Sequence, residues 1–394
     1  MTALLYGKQM ERHRALWWHS ESIGDSGTTP TQGKTVVCEL CPRQCRIAEG
    51  KSGFCFARQN HDGQLVSVTY GRSTGFCLDP IEKKPLYHFL PGTATLSMGT
   101  IGCNLGCLHC QNWQSSRNRN LDSLTEAASP EMIAGTARKL GCPSVSLTYN
   151  EPIIWSEYVV DTARACRKQG IKTVAVTNGT IRPEPAKWFF ESIDAANVDL
   201  KSFRASFYRD IASGTLQPVL DTLIYLAKET GVWLEITNLV IPGENDSLGE
   251  LKDLCDWIVS ELGDHVPLHF SAFHPAHRLL HRPPTDAETL FRAREIAQSS
   301  GLRHVYLGNL ASTRHQTTYC GKCGASLIER DGYGTRTTNT ALPVREGDST
   351  TCRLCNEPLA GRFLPDIGNW GNQRRVIRLS GVYQNVCTID TVAT

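Results

Sequence analysis

Short apolar segments and longer periodic ones alternate along the middle of the chain, and this alternation limits the fold more than any other feature. Residues 94–98, 144–149, 172–178, 197–201, 232–238, 267–273 and 303–307 are short and rich in β-branched side chains, which predicts strands. Residues 131–140, 153–168, 185–192, 219–230, 248–262 and 287–298 place apolar positions at helical spacing. Strand, helix and strand in repetition mean right-handed crossovers and a parallel sheet, since a parallel neighbour is reached only by a connection that returns to the starting edge. Six strands and a candidate seventh fall short of the eight that close a full barrel. The expected fold class is therefore α/β, as a partial TIM-like (β/α)6 barrel or a doubly wound open sheet. Asn150, Glu151, Asn178, Asp199, Lys201, Asn238, His274 and Asn309 gather at the C-terminal ends of the predicted strands. Parallel α/β folds carry their active sites on that edge, so the distribution points to an enzyme.

Composition removes several other classes. A chain of 394 residues, 40% hydrophobic and 20% charged, can bury a full core and lies outside disordered, collagenous and coiled-coil compositions. Lys and Arg number 41 against 39 Asp and Glu, and a net charge of +2 gives no general attraction to nucleic acid or anionic membrane. The basic runs at residues 11–14 and 374–378 are short enough to read as solvated faces. No stretch approaches the roughly 20 apolar residues of a membrane span. Residues 1–20 lack the apolar region of a secretory signal, so the expectation is a cytoplasmic protein with no membrane partner and no strong nucleic-acid signal.

Sixteen cysteines would suggest disulfides in a small secreted protein, but this chain is too long to need them and most of its cysteines fall in three tight groups. Metals in a reducing compartment fit better. The groups divide the chain into an N-terminal Cys-rich region (1–93), a barrel (94–312) and a C-terminal Cys-rich region with a tail (313–394). The central group is Cys103, Cys107 and Cys110, in C-x3-C-x2-C spacing just after the first predicted strand. Three thiolates on a loop that Gly102 and Gly106 let curl can hold three irons of a cubane cluster and leave the fourth open to a small molecule. A zinc site completed by a distant His or Cys, or unliganded buried thiols, are the competing readings.

A C-x3-C-x2-C loop at the end of the first strand of a β/α barrel resembles the radical S-adenosylmethionine (SAM) superfamily. Together with Cys38-Glu-Leu-Cys41-Pro-Arg-Gln-Cys45 and Asp79-Pro-Ile-Glu-Lys-Lys-Pro-Leu86, it is similar to the AmmeMemoRadiSam system radical SAM enzyme, a family related to the pyruvate formate-lyase activating enzyme. The resemblance implies a [4Fe-4S] cluster on Cys103, Cys107 and Cys110. It also implies SAM at the open iron, reductive cleavage to a 5′-deoxyadenosyl radical, and an electron donor such as a flavodoxin or ferredoxin. His109 stands where many relatives carry an aromatic ring near the SAM adenine, and an imidazole can also stack. Thr148 to Pro152 occupies the place of the glycine-glycine-glutamate-proline segment that grips the SAM amino group, which implicates Asn150 and Glu151. Asn178, Asp199, Lys201 and His274 match strand-end residues that lie beside SAM in the activating enzymes. For Glu151 the bland reading is a carboxylate at a helix N-terminus, for Asp199 and Lys201 a structural ion pair, and for His274 a satisfied core residue.

The outer groups are complete with four ligands each. Cys320, Cys323, Cys352 and Cys355 form two C-x2-C pairs 28 residues apart, the spacing of a zinc ribbon, with an auxiliary iron-sulfur cluster as the rival. Cys38, Cys41, Cys45 and Cys55 suit zinc or an auxiliary cluster equally. Cys77, Cys142, Cys166, Cys255 and Cys387 read as buried thiols. The expected activity is hydrogen abstraction from an unidentified substrate. The alternatives are a glycyl-radical activase of the pyruvate formate-lyase activating type, which needs a protein substrate or system partner, and a non-enzymatic zinc-ribbon binding protein. A nucleotide-dependent dehydrogenase or kinase is discarded, because residues 99–106 lack both phosphate-loop patterns.

Overall fold

The computed structural model describes residues 13–21, 34–345 and 350–379. Cys387, the start of the first basic run and the end of the tail lie outside the described residues. At the centre is one sheet of nine strands, numbered here in chain order: β1 (Gly75–Pro80), β2 (Ala94–Gly99), β3 (Ser144–Leu147), β4 (Lys172–Thr177), β5 (Ala195–Asp199), β6 (Trp233–Val240), β7 (Leu268–Ala272), β8 (Val305–Gly308) and β9 (Arg375–Ile377). Strands β2 to β8 pair in sequence order and in parallel, as right-handed crossovers require. The edges β8 and β9 are not paired, so the sheet is the expected partial barrel.

The parallel series has seven strands rather than six, and two antiparallel strands extend it. β1 pairs with β2, and β9 pairs with β1 across Cys77 and Leu78. Neither has a clear strand signature, since β1 is bounded by Gly75 and Pro80 and β9 exposes two of its three residues. The helices α1 (Pro130–Lys139), α2 (Ser156–Arg167), α3 (Pro183–Phe190), α4 (Gln217–Glu229), α5 (Leu248–Trp257) and α6 (Ala287–Ser299) follow the strands in turn. Ser129, Ser247 and Asp286 cap α1, α5 and α6 by accepting a backbone N–H three residues on, which explains their sharp starts. The predicted helix over 153–168 begins as a 3-10 turn, Pro152–Trp155, and the one over 248–262 ends as a π turn, Ile258–Leu262. A short helix, Ala205–Asp210, has too few residues to show a period in the sequence. Among the described residues no helix is long and apolar enough to cross a membrane.

A buried carboxylate closes the barrel at the N-terminal ends of its strands. Glu235, near the start of β6, accepts hydrogen bonds from the backbone amides of Tyr87 (2.9 Å) and His88 (2.8 Å) and from the Trp233 indole (2.9 Å), and it meets His269 Nε2 at 2.7 Å. The segment after β1 thus plugs the bottom. Arg330 from the C-terminal hairpin, Ser326–Asp331 with Gly334–Thr337, lies 4.2 Å from the Tyr87 ring centroid and donates to the Tyr87 carbonyl at 2.6 Å. At the other flank, Arg58 of strand Arg58–His61 holds both oxygens of Glu157 on α2, joining the N-terminal region to the barrel. With its bottom plugged, the barrel has a cavity at the strand C-termini.

Because every partner of Glu235 is buried, Glu235→Leu strands donors that have no other acceptor. The substitution is expected to cost roughly 3–5 kcal/mol, read as a lower urea midpoint with little change in slope.

Candidate active site

The loop after β2 has no regular secondary structure between Thr100 and Asn112, so its shape depends on tethers from neighbouring strand ends. Asn150, just beyond β3, supplies the main one. Its Oδ1 accepts from Thr100 N–H at 2.9 Å, and its Nδ2 donates to Thr100 Oγ1 at 3.0 Å and to the Gly102 carbonyl at 3.1 Å. Farther along, Gly106 N–H donates to Ala212, Leu108 N–H to Ile211, and Arg278 N–H to the Leu108 carbonyl. Two glycines are required. A Cβ on Gly99 would collide with the Thr148 carbonyl, and Gly102, at φ +92°, has the Cys55 carbonyl where its Cβ would be.

These tethers bring Cys103, Cys107 and Cys110 to one cavity of about 300 Å³ at the open end of the barrel. His109, Asn150, Glu151, Asn178, Asp199 and Lys201 line the same cavity, so nine of the residues singled out from the sequence converge. His274 does not. It is exposed and absent from the lining, because Phe273 is pinned to Thr285 in both directions and the chain turns outward there. Thr237 on β6, Ser271 on β7 and Asn309 after β8 supply the polar lining on that side. Among nearby aromatic residues, Tyr149 lines the cavity, Trp155 is fully buried elsewhere, and Trp113 is exposed and stacks on His277.

The polar residues divide into those already spent and those still available. Glu151 caps the 3-10 turn, accepting from Ile153 N–H at 3.1 Å, and it bridges to β4 through Thr177 Oγ1 (2.6 Å) and Asn178 N–H (2.8 Å). Burial pushes its carboxyl up to about 7 in spite of these donors. Asn178 donates to Asn104 Oδ1 at 2.8 Å and approaches Cys103 Sγ at 3.7 Å, while Leu105 N–H donates to the same sulfur at 3.3 Å. The amides of Asn150 and Asn178 therefore shape the loop. Lys201 and Asp199 pair at 2.9 Å on one face of the chain after β5. Burial opposes the Lys201 ammonium, but Asp199 and the Cys107 sulfur outweigh it and hold the group well above its ordinary value. Lys201 is thus a fixed cation in the cavity.

The donor set fits an iron-sulfur cluster with an open position. Among the described residues no fourth cysteine lines the cavity, and the three sulfurs do not all lie within 4.8 Å of one another, a wider spacing than the roughly 3.8 Å around a lone tetrahedral ion. Burial lifts the Cys103 thiol well above its ordinary value and Cys107 to about 11, so metal insertion has to displace protons. His109 is 4% exposed, 5.9 Å from the Phe207 ring, and its buried Nδ1 has no partner, as a ring awaiting a ligand would. Burial and then Lys201 pull it down to about 3, so it is neutral.

The sequence reading missed two supports. Asp79 on β1 is fully buried, binds Lys84 at 2.7 Å and Lys83 at 3.0 Å, and accepts from the Tyr149 hydroxyl at 2.6 Å. This pins Tyr149 at φ +71° and explains the Asp-Pro-Ile-Glu-Lys-Lys-Pro run mechanically. Around Cys55, Arg43 and Arg117 stack on Phe54, Arg117 and Arg119 stack on Phe56, and Arg278 adds a fourth guanidinium near Arg117. None of these four has a carboxylate within 4.0 Å among the described residues. Arg–aromatic pairs far apart in sequence leave no local pattern.

The C-terminal cysteines meet in a different geometry. All four sulfurs of Cys320, Cys323, Cys352 and Cys355 lie within 4.8 Å, with Cys320 and Cys355 at 3.6 Å and Cys323 and Cys352 at 3.7 Å. Tetrahedral zinc with bonds of about 2.3 Å separates its sulfurs by roughly 3.8 Å. Cys38, Cys41, Cys45 and Cys55 surround a second, smaller cavity behind the catalytic loop.

Comparison with known proteins agrees with this geometry. The Radical SAM superfamily model matches residues 98–258, from the end of β2 into α5. An uncharacterized protein of Methanocaldococcus jannaschii is 42% identical over 82% of this chain and 95% of its own length. The pyruvate formate-lyase 1-activating enzyme of Escherichia coli K12 is 25% identical over 51% of this chain and 87% of its own. A solved domain of a pyruvate-formate lyase-activating enzyme from Bacteroides vulgatus covers 42% of this chain and 98% of its own, at 20% identity and a TM-score of 0.38.

Asn150→Ala removes three tethers of the cysteine loop without touching a ligand. It is expected to weaken iron retention roughly 10- to 100-fold, measured as faster bleaching of the iron-sulfur absorption under a chelator.

Proposed function

The chain belongs to the radical SAM superfamily, and from that premise we propose that Cys103, Cys107 and Cys110 bind its [4Fe-4S] cluster while SAM occupies the same cavity. The observation that carries this reading is the convergence of three thiols, and no fourth among the described residues, on a cavity containing a fixed cation and a neutral imidazole whose Nδ1 has no partner among them. With cofactors bound, the site supplies one electron to the sulfonium, giving methionine and a 5′-deoxyadenosyl radical that takes hydrogen from a substrate C–H bond. The chain's own residues bind and orient. Lys201, steadied by Asp199, suits a carboxylate, and His109 against Phe207 suits a planar base. Glu151, Asn178 and Asn150 hold the loop and strand ends in register. The plugged bottom closes one end of the barrel, which limits water and oxygen.

Within the superfamily, the N-terminal cysteine run and the Asp79 to Leu86 motif support membership of the AmmeMemoRadiSam system enzymes. The similarity to an activating enzyme supports a protein substrate, with a flavodoxin or ferredoxin as electron donor and a cytoplasmic setting. The C-terminal cysteines fit structural zinc. A purely structural role for all three cysteine groups does not suit a superfamily member.

Anaerobically reconstituted protein given dithionite and SAM is expected to release 5′-deoxyadenosine and methionine, and Cys103→Ala, Cys107→Ala or Cys110→Ala is expected to reduce both to background. Cluster-loaded wild-type protein that releases neither product would overturn the proposal. Lys201→Ala, with the cluster retained, is expected to raise the SAM concentration for half-maximal cleavage at least about tenfold, as loss of a buried charge-assisted contact implies.

A further inference from the structure

Behind the catalytic loop, four cysteines that the proposed chemistry does not use surround a small cavity. Cys38 ends the strand Val36–Cys38, Cys41 and Cys45 follow in the next turn, and Cys55 arrives just before the strand Arg58–His61. The four line the cavity with Gly53, Arg58 and Asn104. Cys38, Cys41 and Cys55 are each at most 9% exposed. Gly53 keeps the space open, since a Cβ there would press on Ile47 at 3.2 Å and lie 3.6 Å from Cys45 Sγ.

The spacing of the sulfurs separates two kinds of metal centre within this one molecule. The C-terminal four all lie within 4.8 Å of one another, while the N-terminal four form no such group, even three at a time. A lone tetrahedral ion needs its sulfurs roughly 3.8 Å apart. A cubane gives every thiolate its own iron and spreads them farther. The ligand run agrees: C-x2-C-x3-C from one turn differs from the two paired knuckles of the C-terminal site.

Arg58 supplies an independent observation. It is 1% exposed and lines the cavity, with Nη1 on Glu157 and Nη2 on the Leu16 carbonyl, yet its buried Nε–H has no acceptor among the described residues. A buried donor without a partner is rare unless an unseen group accepts from it. A cluster sulfide or thiolate is such a group, and the guanidinium offsets the cluster's negative charge.

We infer that Cys38, Cys41, Cys45 and Cys55 hold a second [4Fe-4S] cluster, closed by four protein ligands and packed against the catalytic loop where the Cys55 carbonyl meets Gly102. The inference goes beyond the catalytic reading and does not depend on SAM cleavage. Its test is metal and sulfide analysis of the full chain isolated without oxygen, beside the variant Cys103→Ala/Cys107→Ala/Cys110→Ala. Wild-type protein is expected to carry iron and sulfide for two clusters. The triple variant is expected to keep half of that iron, with a reduced-state paramagnetic signal that added SAM leaves unchanged. A second variant, Cys38→Ala/Cys41→Ala, is expected to lose half the iron and none of the zinc. The inference is overturned if wild-type protein carries iron for one cluster and zinc for two sites, or if the triple variant is free of iron. The wild-type count decides the matter even where a variant fails to fold.

Discussion

Holding three buried sulfurs on an irregular loop is the constraint that the rest of the molecule answers. The loop between β2 and the helix Trp113–Ser116 has no ladder of its own, so each backbone group needs a partner from elsewhere. The partners come from the C-terminal ends of neighbouring strands: Asn150 after β3, Asn178 after β4, and the Ile211–Ala212 segment that follows β5. Only a parallel sheet with crossovers delivers so many chain ends to one edge. Asp79 and its lysines act one layer farther out, fixing Tyr149 and with it the turn that carries Asn150.

Burial gives the site its electrostatic character. Removing the cysteines and Glu151 from water disfavours their charged forms, while Lys201, paired with Asp199, keeps its charge in the same cavity. Because burial keeps the thiols protonated, metal entering this cavity has to expel their protons. The two outer cysteine sites follow separate logics. The C-terminal one draws its sulfurs to single-ion distance on hairpins bound to the barrel bottom through Arg330, and the N-terminal one spreads its sulfurs against the catalytic loop.

Much of this was legible in the sequence, for identifiable reasons. The seven parallel strands and six long helices showed because apolar period records burial, and the cysteine groups showed because metal ligands need fixed local spacing. β1 and β9 escaped because Gly75, Pro80, a buried Asp79 and exposed arginines hide a strand period. Among the site residues, Asn150 and Glu151 line the cavity, and the Asn150 amide is bonded to Thr100 and Gly102. These partners lie about fifty positions away, where no local pattern records them. His274 lies off the cavity lining because β7 ends at Ala272 and the Thr285 clasp turns the chain away one residue before it. The Glu235 plug and the arginine–phenylalanine pairs join segments far apart in sequence and were visible only in the fold.

The central claim is one iron corner that no side chain occupies. Mössbauer spectroscopy of protein loaded with 57Fe, before and after adding SAM, tests it most directly. The account expects a single iron site to move to the isomer shift of a higher coordination number while the other sites stay fixed. Spectra in which no site responds to SAM would mean that every iron already has its protein ligand, and would contradict the account.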